Sequence, residues 1–278
     1  MSHSMRNGDE ASRVHESRQR RDVGHGARRA GASTCAAGRL VRVPPVATSP
    51  SPAAFAFIAL VAMATLALPG VAAAQTAPSA EEAAAYEGLL AAAWHGDVDA
   101  IDALVEAGAD VEARDAAGRT PAIVAAFASE DEALARLAAA GADLNALEHR
   151  DYDIVTIAAV ANDAELMSRA LALGARPDNV TSPYAGTALI AAAHLGHDDV
   201  VRRLAAAGAP LDHVNNLGWT ALIEAVVLGD GGPDHVATVR ALMEAGADPT
   251  IGDRGGITPL EHARSRGYDE IVAILESG

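Results

Sequence analysis

Lysine is absent from this 278-residue chain, cysteine occurs once, and aromatic residues make up only 3% of it. A single cysteine excludes a disulfide framework. All 21 basic side chains are therefore arginine, and we read that bias, with the abundant alanine, as genomic background rather than function. No G-x-S-x-G motif and no phosphate-cradling glycine loop occurs, so the common hydrolase and nucleotide signatures are missing. No segment alternates oxygen ligands over twelve residues in the way a calcium loop requires.

What is present is unevenly distributed. Nine arginines and four acids fall in the first 50 residues, none of either in 51–80, and twelve arginines against 33 acids thereafter, a balance of −21. A surface that acidic repels phosphate backbones and anionic lipid, so nucleic acid is not an expected partner of this part.

The uncharged run AAFAFIALVAMATLAL (53–68) is followed by Pro69-Gly70 and by Ala72-x-Ala74. Sixteen apolar residues suit the hydrophobic region of an export signal better than a membrane span of about 20 residues. We expect cleavage after Ala74, with a periplasmic or secreted mature chain. The alternative is an uncleaved inner-membrane anchor with the rest outside the cytoplasm. Residues 1–52 are too polar and arginine-rich to bury a core, and are either a disordered extension or the product of a misassigned start.

The remainder repeats. Ala-Gly-Ala or Leu-Gly-Ala triplets centre on Gly108, Gly141, Gly174, Gly208 and Gly246, spaced 33, 33, 34 and 38. Twelve residues after each glycine, thirteen once, stand Thr120-Pro121, Asp153-Ile154, Thr187-Ala188, Thr220-Ala221 and Thr258-Pro259. A period of this length predicts stacked supersecondary units that cannot fold singly. Thr120 is placed to cap a helix starting at Pro121, Leu134 and Leu137 lie on one face of a second helix, and Gly141 suits a left-handed cap.

These features resemble the ankyrin repeat family, most plainly in GWTALIEA (218–225) and GITPLEHA (256–263). The resemblance covers about 80–278 and implies an all-α solenoid of about six helix-turn-helix units with extended finger loops: 80–112, 113–145, 146–178, 179–212, 213–250 and 251–278. The family's T-P-L-H pattern is only partly kept, since Ile123, Thr156, Ile190, Ile223 and Glu261 stand where its histidine would be. Apolar contacts between units are the expected substitute. Gly229 to Pro233 is an insertion read as a surface loop, where substitution is expected to be nearly silent.

The same resemblance implies a non-catalytic protein that binds another protein through its concave face, as a helper of a stress-response enzyme or as an immunity factor. An enzyme of hydrolase type carried on the repeats is the alternative, and it would need ionisable groups converging on that face. In the inferred register Trp94, Arg119, Tyr152, Tyr184, His194 and Trp219 are the partner-binding candidates, and Phe127 packs between helices. Aromatic and arginine side chains anchor many interfaces. The partner is expected to be basic, and the chain a monomer without cofactor. His194 and His197 are three apart, but Gly-His in that turn is a structural feature of the family, so no metal is expected there.

The leader yields a direct expectation. N-terminal sequencing of the native protein finds Gln75 first; an intact 55–68 segment in the membrane fraction identifies the anchored form instead.

Overall fold

The computed structural model of the chain describes residues 77–278. The leader at 53–74, its Ala72 and Ala74 pair and the arginine-rich 1–52 lie outside the described residues. Among the described residues there are thirteen helices, one isolated bridge between Thr181 and Gly186, and no strand. In chain order they are α1 (Ala80–Ala84), α2 (Gly88–Trp94), α3 (Val98–Glu106), α4 (Pro121–Phe127), α5 (Asp131–Ala139), α6 (Ile154–Ala161) and α7 (Ala164–Ala172). The series continues with α8 (Ala188–Leu195), α9 (Asp198–Ala206), α10 (Ala221–Val227), α11 (Pro233–Ala245), α12 (Pro259–Arg266) and α13 (Asp269–Ser277).

Six antiparallel pairs stack so that α2, α4, α6, α8, α10 and α12 form one layer and α3, α5, α7, α9, α11 and α13 the other. The inner helices are seven or eight residues long, and those inside the stack are apolar on nearly every side: Pro121 to Ala126 of α4 are all buried, whereas the last, α12, carries Glu261, His262, Arg264 and Arg266 and buries only Pro259 and Ala263. Such a helix is stable only when covered by both neighbours and by its own outer helix, because isolated helices this short do not hold. One continuous apolar core therefore runs from Leu89 to Leu275. On the outer layer only one face is covered, as with Leu134 and Leu137 on α5.

Capping sets the ends of every pair. Thr120, Thr187, Thr220 and Thr258 accept the amide three residues on, at 3.3 to 3.4 Å, and Asp153 does the same at 2.7 Å. The glycine after each outer helix is left-handed; at Gly141 φ is +93°, and the next amide, of Ala142, returns to the Leu137 carbonyl at 3.0 Å. That closure satisfies carbonyls the helix end would leave open.

The contact that replaces the family's histidine differs from expectation at one junction. Thr156 is not part of an apolar substitute: its hydroxyl lies 2.7 Å from Asp153 and 2.9 Å from the Thr181 hydroxyl of the next unit. A buried inter-unit hydrogen bond is thus kept with different donors. Glu261, in the same register, turns back to its own Thr258 and closes a capping box.

The insertion is not a loose loop. It extends α11 to 13 residues against nine for the other outer helices, leaving Gly229 to Gly232 as a tight turn. Tyr268 donates its hydroxyl to the Gly229 carbonyl at 3.1 Å. A Cβ on Gly229 would collide with the Ala225 carbonyl, and one on Gly231, where φ is +72°, would sit 2.5 Å from the Tyr268 ring. The expectation of silent substitution is corrected by this packing.

Gly231→Ala is therefore expected to lower stability by about 1 kcal/mol or more, comparable with Gly141→Val, through left-handed strain plus the clash. Denaturant titration followed by circular dichroism checks both. An unchanged midpoint for Gly231→Ala would contradict the packing described.

Candidate functional site

The finger loops are built by one repeated device. In four of the five fingers a polar residue at the base of the turn accepts the amides two and four residues on: Asp115 from Ala117 and Arg119, Glu148 from Arg150 and Tyr152, Asn215 from Leu217 and Trp219, and Asp253 from Gly255 and Ile257; the finger before Thr187 is closed by the Thr181–Gly186 bridge instead. The side-chain oxygen fixes the turn because it stands in for a backbone acceptor. Backbone bonds then join finger to finger, from the His149 amide to the Ala117 carbonyl, from Ser182 to Asp151 and from Asn216 to Tyr184, at 2.8 to 3.0 Å. The fingers are a laced row rather than independent loops.

Against this frame the six candidates separate. Arg119 is only 2% exposed; it pairs with Asp115 at 2.6 Å and with Glu82 of α1 at 2.8 Å. Tyr152 is 4% exposed, and burial first, then the nearby Glu148 carboxylate, hold its phenol above the ordinary tyrosine range. Neither side chain offers contact area, and both are corrected to structural members of the stack. Trp94 and Phe127 are half-buried against the core, which leaves Phe127 in the packing role expected of it. Trp219 is half-buried, while Tyr184 and His194 are exposed.

Arg119 is the centre of a closure at the first unit. Tyr86 donates its hydroxyl to Asp115 Oδ2 at 2.8 Å, and the guanidinium bridges Asp115 to α1. Burial first and the bond to Asp115 second push the Tyr86 phenol well up, so it stays protonated. Burial alone would raise the Asp115 carboxyl, but the Arg119 amide, the Tyr86 hydroxyl and the guanidinium outweigh it and hold it below the usual carboxylate range. The cluster ties α1 to the first finger.

His197 contributes structure, as its turn position implied: its Nδ1 lies 2.9 Å from the Ala159 carbonyl of the preceding unit. His194 is different. Its Nδ1 is 3.3 Å from Oε2 of Glu224 on the next inner helix, and Glu224 Oε1 accepts from Asn215 Nδ2 at 2.7 Å. Residue patterns had not singled out Asn215 or Glu224. The available signal was an acid four residues after the Thr220 cap, where Val124, Ile157 and Ala191 occupy the same register. The trio brings ionisable groups together at the finger base, and none of its members is a hydroxyl or thiol nucleophile.

Aliphatic side chains of the same units, which no sequence motif marks, are also exposed. Val180 and Val214 are equivalent positions of consecutive fingers, and Leu195 and Leu228 equivalent ends of consecutive inner helices; all four are exposed. With Tyr184, Leu217 and Ile257 they lie within 180–257.

Paired short helices, left-handed glycine closures and a laced row of fingers define a helical repeat solenoid. A family model described as ankyrin repeats in three copies matches residues 155–253, and one described as a single ankyrin repeat matches 89–116. A solved ankyrin repeat domain from Acinetobacter baumannii AYE is 41% identical, covers 68% of this chain and 96% of its own, and superposes with a TM-score of 0.64. The solved ankyrin repeat protein EF0377 is 34% identical over 69% of this chain and 98% of its own, with a TM-score of 0.63. Among curated proteins, the ankyrin repeat protein YahD of Escherichia coli (strain K12) is 50% identical over 50 residues, 18% of this chain; the match spans a quarter of that relative's length.

The chain belongs to the ankyrin repeat family. Ankyrin repeats are scaffolds for binding other proteins, and the fold is generally non-catalytic.

The Asp115 cluster carries a pH dependence. Its folded pKa lies below the unfolded value of about 3.9, so its stabilisation is complete above that value and is lost as pH falls through the lower folded one. Asp115→Asn should cost about 1–3 kcal/mol at pH 7 and less at pH 3. Denaturant midpoints of both proteins at the two pH values decide it; an equal loss at both would contradict the assignment.

Proposed function

We propose that this protein is an exported protein-binding module whose partner docks on the fingers and inner-helix ends of the fourth to sixth units. The observation that supports this placement is the concentration of exposed large apolar side chains at 180–257 among the described residues, Tyr184 included, with Trp219 half-buried in the same stretch. Apolar area collected on one stretch of an otherwise charged surface favours an interface. The surrounding acidity favours a basic partner and a salt-sensitive association rate.

Export rests on the uncharged run 53–68 and on Ala72-x-Ala74, which set the repeats outside the cytoplasm whether the signal is cleaved or retained as an anchor. For such a module two roles fit: assisting a stress-response enzyme, or neutralising a secreted toxin as an immunity factor. In both the protein acts as a monomer, binds one other protein and catalyses nothing.

Tyr184→Ala, Leu217→Ala and Trp219→Ala, made singly with the fold checked by circular dichroism, should weaken retention of the partner that co-purifies from the native compartment. For Tyr184 or Trp219 the loss should be about tenfold or more. Unchanged affinity in all three would remove the site from this part of the stack.

A further inference from the structure

Glu224 departs from the apolar residues that hold its place in the three preceding inner helices. Val124 and Ile157, at the same position of their inner helices, are buried apolar side chains, and a carboxylate placed there loses hydration that must be replaced by hydrogen bonds. Glu224 is 5% exposed. Oε1 has a good partner in Asn215 Nδ2 at 2.7 Å, and the orientation of that amide is fixed, because Asn215 Oδ1 is occupied by the Leu217 and Trp219 amides, each at 3.0 Å. The finger turn therefore dictates which end of Asn215 faces the carboxylate.

Oε2 is held more weakly. Its neighbour is His194 Nδ1 at 3.3 Å, beyond the 2.7–2.9 Å of a charge-assisted bond, and the imidazole is 47% exposed. Room for that ring comes from Ala191, three residues earlier on the same face of α8 and in register with Glu224. The ring has solvent on its outer side, while its backbone is held. His235, delivered by the insertion, places Nε2 3.1 Å from the His194 carbonyl while Asp230 takes its Nδ1 at 3.0 Å.

We infer that Glu224 is the receptor for one cationic side chain, arginine or lysine, of the partner. The incoming guanidinium or ammonium takes Oε2, displaces the His194 imidazole into solvent, and lays its aliphatic stem toward the Trp219 finger. A guanidinium is the stronger donor to a desolvated carboxylate, and the acidic fold draws it in. The inference rests on the protein-binding reading above and gives that surface its central polar contact.

The probe is the pentapeptide acetyl-Gly-Ala-Arg-Ala-Gly-amide, compared with the same peptide carrying citrulline in place of arginine. Binding to the native protein is followed through the Trp219 indole and His194 imidazole resonances. The arginine peptide is expected to shift both signals saturably, with the neutral citrulline peptide about tenfold weaker or more. Glu224→Gln, nearly isosteric and still able to accept from Asn215, should lose arginine binding by a similar factor. His194→Ala should bind the arginine peptide as well as or better than the unaltered protein, since the competitor for Oε2 is gone. Equal binding of the two peptides, no saturable shift with arginine, or His194→Ala losing binding with an intact fold would each overturn the assignment. Should Glu224→Gln fail to fold, the two peptides on the unaltered protein still decide. Failure of the wider reading looks different: the arginine peptide binds, yet no protein partner is retained by the unaltered chain. A partner retained undiminished by folded Glu224→Gln would overturn the Glu224 site alone.

Discussion

An inner helix of seven or eight residues that is buried on almost every side, as α4 is, cannot exist alone. It is too short to be held by its own hydrogen bonds and too hydrophobic to face water. Everything else in residues 77–278 answers that constraint. Each inner helix within the stack is covered by two siblings and its outer partner, and α2 and α12 at the ends by one sibling each, so the core is one continuous body and stability accumulates from unit to unit. The threonine and aspartate caps fix where α4, α6, α8, α10 and α12 start, and the left-handed glycines close the outer helices before each finger. At the N-terminal end the Arg119 and Asp115 cluster ties α1 to the first finger through Glu82.

The same nearest-neighbour logic governs the polar groups. Finger amides point to a side-chain oxygen within the turn and to a carbonyl of the adjacent finger, so the loops are ordered without forming a sheet. Thr156 and Thr181 show that the inter-unit hydrogen bond matters more than the residue that makes it: two hydroxyls do the work that the family's pattern assigns to histidine. His197 and His235 repeat the lesson in the helix-to-helix turns, each reaching a carbonyl of the preceding unit.

Binding capacity is spread unevenly over this uniform frame. The early fingers turn their large side chains inward, with Arg119 and Tyr152 absorbed into the stack, whereas the later ones leave Tyr184, Val214 and Leu217 in solvent. The extended α11 lies behind that later region and packs over the end of α8 at Gly196. The insertion therefore acts as a brace for the surface proposed to bind, not as the binding element.

Period, register, cap residues, terminal glycines and the helix content were all legible in the sequence, because each is a local requirement: a hydroxyl or carboxylate three residues before an amide, a residue without Cβ where φ is positive, an apolar stripe on α5. Exposure was not legible. Arg119 and Trp219 occupy the same place before their threonines, yet α1 buries the one while the other keeps part of its ring in water, a difference set by what stacks beside each finger. Gly229 and Gly231 read as loop residues until Tyr268, from the following unit, closes over them, with Ala225 and His235 crowding Gly229 from either side. Glu224 was visible as an acid out of pattern, but its pairing with Asn215 and His194 joins three residues from a finger and two helices. Local geometry is written in neighbouring residues; burial and pairing are decided by the units that pack across them.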